Sequence, residues 1–573
     1  MPELAELYAG PMPEYPSIYH TMENGWKKDP EELALASMHQ QADHLSKLAG
    51  PSSNSKQSAP YLRWNYAQFS HATLSIAEGL LRKGIKTGDL IVTLVPNSAE
   101  WLLFLSASVF AKYGLCALDI NTLNDARRTE LVDMIKLLEP AAIVVPDATG
   151  AAAVDAALSH LETTRPLKVV LEDIQNKDWL DTLDLAVPCD AETRSKLTDD
   201  ALTDSPNRTA SIVFTSGTSS GKPKGCLRDV LGVTTTTAQL IWSRPGDTSC
   251  RRTLHTANFR AIAPACALKA WKDGATVVLP GANFSPETFL DAIEKERVTE
   301  AALIPAQLHA VVASPTFASR DLSSVRLVMS GGDIVTSAFV EKSKRHFPGA
   351  AFMTAHGMSE GGGIFKWTYW DEKEGILFYS DISPLGRSLH PGARLRLVNG
   401  DKVVARGEVG ELHISHASLL QKYIGHAADS TDFYTDELGR WFKTGDRAMV
   451  NAEGDMYILG RSKDIIKRAG VSIAPAAIES CLQAFTDYQT AVLAVTHSTL
   501  GQEPFAILES SGSKSEEDIK KQVEGVCGQD WAIRGAVELR TLGLKRFPLN
   551  PSAKIDKLAL RGPLDSYLGP AAK

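Results

Sequence analysis

Residues 215–225 read Thr215-Ser-Gly-Thr-Ser-Ser-Gly-Lys-Pro-Lys-Gly225 and stand directly behind a strand-like apolar run, Ser211-Ile-Val-Phe214. Glycines let backbone N–H groups approach an anion, hydroxyls add donors, and lysines add charge without a fixed geometry. This is the composition of a polyphosphate cradle. A Walker loop separates its glycines by four residues and places Ser or Thr after the lysine. Here three residues separate Gly217 from Gly221, and Pro223 follows Lys222, so both requirements fail.

The flanks predict an α/β fold. An amphipathic pattern from Tyr66 ends at Gly84, and the run Asp89-Leu-Ile-Val-Thr-Leu-Val95 reads as a buried strand stopped by Pro96-Asn97. A second helix is expected from Ser98, and the alternation continues through LLEPAAIVVPD, LKVVLED, Ala275-Thr-Val-Val-Leu279 and Val325-Arg-Leu-Val-Met329. After about Gly386 the texture becomes short alternating runs with turn signals, which predicts a β-rich subdomain over 386–462. A small α+β unit is expected from 463 to 573, with a strand at 491–495 and a helix opening at Ser515. Residues 1–462 would form the large domain and 463–573 a small mobile one.

Bulk properties narrow the function. The 573 residues exceed one ordinary core, and 44% hydrophobic with 22% charged content is that of a soluble globular chain. A net charge of −8 gives no electrostatic reason to expect nucleic acid or an anionic membrane. The seven scattered cysteines contain no CxxC pair, which suits a reducing compartment. The start of the chain lacks the basic and apolar regions of a secretory signal, and residues 101–111 are too few for a membrane span. A cytoplasmic location is the expectation.

Five stretches stand in order: the glycine-rich loop, Ala355-His-Gly-Met-Ser-Glu360, Trp441-Phe-Lys-Thr-Gly-Asp446, Gly460-Arg-Ser-Lys-Asp-Ile-Ile-Lys467 and Asn550-Pro-Ser-Ala-Lys-Ile-Asp556. Together they resemble the adenylate-forming (AMP-binding) superfamily of acyl-CoA synthetases, luciferases and peptide-synthetase adenylation domains. The resemblance implies ATP-dependent activation of a carboxylic acid through an acyl-adenylate, with Mg²⁺ and, for the thioester step, CoA. It implies that Thr215, Ser216, Gly217, Thr218, Gly221 and Lys224 cradle the β,γ-phosphates, in a loop one residue longer than the family's usual form. Glu360 matches the magnesium ligand, and Ser359, with Gly357, matches the α-phosphate contact. His356 takes the place of the aromatic residue that stacks on adenine, and Gly331 is expected on the same nucleotide side. Asp446 matches the acid that accepts the ribose diol, and Arg461 and Lys467 match basic partners of the nucleotide. Lys554 matches the catalytic lysine, preceded by Ala553 where glycine is usual, and Lys463 matches the hinge. By the same resemblance, Glu360 and Arg461 join Lys554 as catalytic candidates.

Family acid pockets are lined from regions matching 256–262, 304–309, 330–333 and the segment after Glu360. The expected lining therefore includes Asn258, Phe259, Arg260, Gly332, Gly361 and Gly362, with Asn258-Phe259 where many acyl and aryl members carry Phe-His. Arg260 is a candidate for a second carboxylate or polar group on the acid. CoA is the expected acceptor; loading of a separate carrier protein, or transfer to an amine, stands as the alternative. Gly357-Met-Ser-Glu-Gly361 also spells the GxSxG elbow of a serine hydrolase, which requires a helix directly after the serine. The residues that follow oppose one.

Overall fold

The computed structural model describes residues 3–50, 59–161, 165–172, 174–215, 224–243, 250–361, 363–370, 375–425, 431–469, 471–550 and 554–569. Two largely parallel sheets form its centre. The first runs, edge to edge, through Lys422–Ile424, Gly225–Asp229, Thr209–Phe214, Gly114–Ala117, Leu90–Thr93, Ala142–Val145, Leu167–Val170 and Leu180–Asp181. The second runs through Ala351–Ala355, Leu327–Gly331, Glu300–Ala302, Arg251–Thr253, Thr276–Leu279, Leu33–Gln41 and Tyr61–Asn65. Both have the helix-covered parallel arrangement that buries a strand on two faces, which is why these strands read as continuous apolar runs.

Local chemistry explains the element ends. Helix Tyr66–Arg82 opens on a reciprocal capping box between Asn65 and Gln68. Helix Ala99–Ala111 is capped by Ser98 and is apolar almost all round, and every residue of it is buried. Helices from both sheets share one aromatic core: Trp26 lies 5.6 Å from Trp271 edge-on, 5.6 Å from Phe69 and 5.8 Å from Phe110.

A third, antiparallel sheet contains Arg394–Asn399, Val409–Ser415, Gly439–Val450, Phe433–Asp436 and Met456–Arg461, within the region expected to be β-rich. Two pairings were not expected. Strand Glu6–Tyr8 joins this sheet beside Arg394–Arg396, and Lys422–Ile424 leaves it to pair antiparallel with Gly225–Leu227 of the first sheet. A fourth sheet contains Val471–Ile473, Ile466–Arg468, Gly501–Leu508, Thr490–His497 and Gly535–Glu538. Helix Glu516–Cys527 packs beside it and opens on a capping box between Ser515 and Asp518. Among the described residues no helix is long and apolar enough to cross a membrane.

Candidate active site

The glycine-rich stretch joins two antiparallel strands, Thr209–Phe214 and Gly225–Asp229, in register at Phe214 and Gly225. A Walker loop leads from strand to helix; this one is a hairpin connection, which accounts for its different glycine and proline spacing. Ser216, Gly217, Thr218 and Gly221 lie outside the described residues. The base of the connection is closed by Thr215 N donating to Lys224 O at 2.9 Å and Lys224 N donating to Thr215 Oγ1 at 3.2 Å. Lys224 Nζ sits 4.9 Å from the centre of the Tyr423 ring and 3.9 Å from Asp432 Oδ2.

Glu360 is presented by a turn after strand Ala351–Ala355, in which Met358 and Gly361 exchange backbone hydrogen bonds at 3.2 Å. Leu420 N donates to the Glu360 carbonyl at 2.6 Å. Tyr423 Oη donates to Glu360 Oε1 at 3.0 Å, and among the described residues nothing bonds the other carboxylate oxygen. Burial, and next the Glu360 charge, push the Tyr423 hydroxyl far above its ordinary pKa, so it stays protonated and can only donate to the carboxylate. Ser359 shares this turn. Among the described residues no helix follows it, and the next element is the short strand Phe365–Lys366, which opposes the hydrolase elbow.

Asp446 and Arg461 face each other on adjacent antiparallel strands. Arg461 Nε lies 3.0 Å from Asp446 Oδ1, and its Nη1 donates to Thr444 O at 2.8 Å. Thr444 Oγ1 accepts from Asp446 N at 3.0 Å, so one threonine positions both partners. Asp446 Oδ2 is 3.8 Å from His356 Nε2, and the His356 ring stands edge-on to Phe365 at 5.3 Å. His356, Asp446 and Arg461 therefore form one cluster, and Lys224, Glu360 and Tyr423 another.

Gly331 and Gly332 end the neighbouring strand. A Cβ on Gly331 would lie 2.2 Å from the Ala355 carbonyl oxygen, and Gly332 has φ +78°. The first glycine lets two strand ends approach, and the second permits the turn. Gly357 is exposed, whereas a Cβ on Gly361 would meet Leu419 Cδ2 at 2.9 Å. Gly362 lies outside the described residues. Asn258, expected to line the acid pocket, is buried, and its amide donates to Val95 O at 2.7 Å. Asn97 returns a bond to Thr256 O at 2.9 Å. This pair of amides fastens segment 254–260 to the rim of the first sheet, so the Asn258 side chain acts on that joint. Phe259 lies under the Arg260 guanidinium at 4.8 Å.

Lys463 is exposed in the turn between the third and fourth sheets, where Asp464 N and Ile465 N both donate to Arg461 O, at 2.9 and 3.2 Å. Lys467 lies in strand Ile466–Arg468, with its N–H bonded to Gln502 Oε1 at 2.9 Å. Lys554 is held to Asn550: Asn550 N donates to Lys554 O at 2.8 Å and Lys554 N donates to Asn550 Oδ1 at 3.2 Å. Among the described residues no hydrogen bond or ion pair joins Lys554 to Glu360, Asp446 or Arg461.

The family model for an AMP-binding enzyme matches residues 47–424. The chain belongs to the AMP-binding enzyme family. An acyl-CoA ligase of Pestalotiopsis microspora is similar to this AMP-binding enzyme at 33% identity, covering 98% of this chain and 99% of that one. 4-Coumarate-CoA ligase 3 of Arabidopsis thaliana is 27% identical, with 78% of each chain covered. Among solved structures, the anthranilate CoA ligase AuaEII with anthranoyl-AMP superposes with a TM-score of 0.75 at 19% identity, covering 98% of both chains. At that identity the likeness shows a shared fold.

Sequence reasoning about this AMP-binding enzyme missed Tyr423, Thr444 and Asp432. Tyr423 is 63 positions from Glu360 and reaches it only because Lys422–Ile424 crosses to the first sheet. Thr444 had a local signal, lying two residues before Asp446 in the KTGD run of strand Gly439–Val450, where a hydroxyl can accept the N–H two positions on.

Proposed function

We propose that this enzyme activates a carboxylic acid with ATP and transfers the acyl group to CoA. In the first step a carboxylate oxygen of the acid attacks the α-phosphorus, the bond to pyrophosphate breaks, and an acyl-adenylate forms. In the second step the CoA sulfur attacks the acyl carbonyl, the thiol proton is lost, and AMP leaves. The observation that carries this reading is the meeting of a lysine and a carboxylate on Tyr423, Lys224 over its ring face and Glu360 bonded to its hydroxyl, at the base of the glycine-rich connection.

Both reactants of the first step are anions, so cationic groups must offset their repulsion. Lys224 supplies one at the β,γ-phosphates, alongside Thr215, Ser216, Gly217, Thr218 and Gly221. The free oxygen of Glu360 fits a hard cation that takes one protein carboxylate and completes its shell with phosphate oxygens and water. Mg²⁺ held there would neutralise charge on the polyphosphate. Asp446 would accept the ribose diol through its less engaged Oδ2, Arg461 would hold the carboxylate in place, and His356 would lie against the base. Ser359 would meet the α-phosphate and Lys554 the reacting carboxylate.

The division into a large domain, residues 1–462, and a mobile small one, residues 463–573, belongs to the same proposal. It is supported by the change of sheet across the turn at Lys463. A rotation there would bring either Lys554 or the loop at Ala469 to the acid, for adenylation and thioester formation in turn.

Acid-dependent pyrophosphate release, measured over aryl, fatty, dicarboxylic and branched acids with and without CoA and followed by mass detection of products, tests the reading. A CoA-dependent thioester supports it. Release that yields adenylate and ignores CoA would move the acceptor to a carrier protein or an amine, and no release with any acid would overturn it.

A further inference from the structure

Arg260 ends the segment that leaves strand Arg251–Thr253, and its side chain has no ion-pair or hydrogen-bond partner among the described residues. Nε and Nη2 are fully enclosed, although the residue as a whole is part-exposed. The fully buried arginines each have a partner, although Arg228 Nε and Arg252 Nη1 are themselves unbonded. Arg208 lies 2.6 Å from Asp204, Arg228 donates to Thr236 at 2.8 Å, and Arg252 is paired with Glu300. An enclosed guanidinium without an acceptor is unfavourable, and arginine does not escape by losing its proton. Burial pulls the Arg260 pKa down, and Asp119 opposes this from further away. Asp119 is already held by Arg127 at 2.9 Å.

The two unpartnered nitrogens are the side-on fork of the guanidinium, the pair of parallel donors that matches the two oxygens of one carboxylate. Their place in the fold says which carboxylate. Strands Ala351–Ala355, Leu327–Gly331, Glu300–Ala302 and Arg251–Thr253 are consecutive, parallel neighbours in one sheet. Their carboxyl ends release, in the same order, the His356–Glu360 turn, Gly331-Gly332, Ile304 and the segment ending at Arg260. Ligands of open α/β sheets bind along this rim. Three strand spacings, about 14 Å, separate the Glu360 turn from the Arg260 segment.

We propose that Arg260 binds a second carboxylate at the far end of the acid, and so selects extended substrates that carry an anion remote from the reacting carboxylate. This rests on the acid-activation reading above. Because Nε and Nη2 are enclosed before the acid arrives, binding requires the Arg260 side chain to turn off the Phe259 ring towards the substrate.

Two matched pairs test it: nonanedioic against nonanoic acid, and 4-carboxycinnamic against cinnamic acid, with the full-length enzyme and its Arg260→Met and Arg260→Lys variants. The ratio of kcat/KM for pyrophosphate release within each pair is the readout, with thermal unfolding to confirm that each variant folds. Wild type is expected to favour the diacid of at least one pair on the order of 10²-fold, with the ratio collapsing towards unity in Arg260→Met and partly kept in Arg260→Lys. Equal handling of diacid and monoacid by wild type, or a ratio that survives Arg260→Met, would overturn the proposal, as would a rise in the KM for CoA with the acid ratio intact. If no acid releases pyrophosphate, the activation reading fails and calorimetric binding of the same four acids decides Arg260 separately. Diacid binding lost in Arg260→Met supports its role, and a wild type that binds neither diacid removes it.

Discussion

Tyr423 donates its hydroxyl hydrogen to Glu360 Oε1 across 3.0 Å, while the face of the same ring lies 4.9 Å from Lys224 Nζ. One tyrosine thus fixes the orientation of an acid and supports a base at the mouth of the phosphate loop. Tyr423→Phe keeps the ring and removes the donor. It is expected to raise the Mg²⁺ concentration needed for half-maximal pyrophosphate release by about 10-fold, the usual scale for a residue that orients a metal-binding carboxylate. The fold should be unchanged. A metal dependence identical to wild type would show that Glu360 is oriented without it.

Lys554 and Lys463 separate chemistry from motion. Lys554→Ala should lower acid-dependent pyrophosphate release by roughly 10²- to 10³-fold, as loss of a preorganised charge does, while leaving thermal unfolding where it was. Lys463→Pro restricts φ in the turn between sheets, and it should slow thioester formation while sparing adenylation. Single-turnover measurements of each half-reaction distinguish the two. Equal losses in both halves for Lys463→Pro would remove its hinge role.

A pH-dependent contribution to stability is expected from a buried acid on helix Ala99–Ala111. His44 bonds the buried Glu100, whose other oxygen accepts from Gln40 at 2.9 Å. The bond to Glu100 raises the His44 pKa. Burial alone would raise Glu100, yet His44 draws it below its ordinary value. His44 therefore stabilises the fold fully below its unfolded pKa, about 6.5, and loses that contribution as pH rises through its higher folded pKa. Glu100 contributes above its unfolded pKa and loses its contribution as pH falls through its lower folded one. The melting-temperature gap between wild type and His44→Gln should be widest in mildly acidic buffer and close on the alkaline side. A gap that grows with pH would contradict this sign.

Gly331→Ala tests the rim. The added methyl would lie 2.2 Å from a backbone oxygen, Ala355 O, which cannot swing aside. The two strand ends must separate, at a cost of about 1–3 kcal/mol, and His356 should shift with Ala355. Chemical denaturation reads the first effect and the KM for ATP the second. Unaltered stability would mean that the rim yields easily.

The order of elements was legible in the residues themselves. Capping signals at Asn65, Ser98 and Ser515 mark helix starts, and apolar runs such as residues 142–145 and 276–279 mark buried strands, because both depend on neighbours a few positions away. The motifs holding Glu360, Asp446, Arg461 and Lys554 were legible for the same reason: each is a short run with its own chemistry. What lay beyond the sequence were contacts between distant segments. Strand Glu6–Tyr8 completing a sheet almost four hundred residues later, Tyr423 reaching Glu360, and Asn258 bonding Val95 are decided by which strands pair and where rims meet. Local propensity carries no information about such pairings, since a side chain's partner is set by the tertiary packing that places it, and that Arg260 has no partner among the described residues became visible only once that packing was complete.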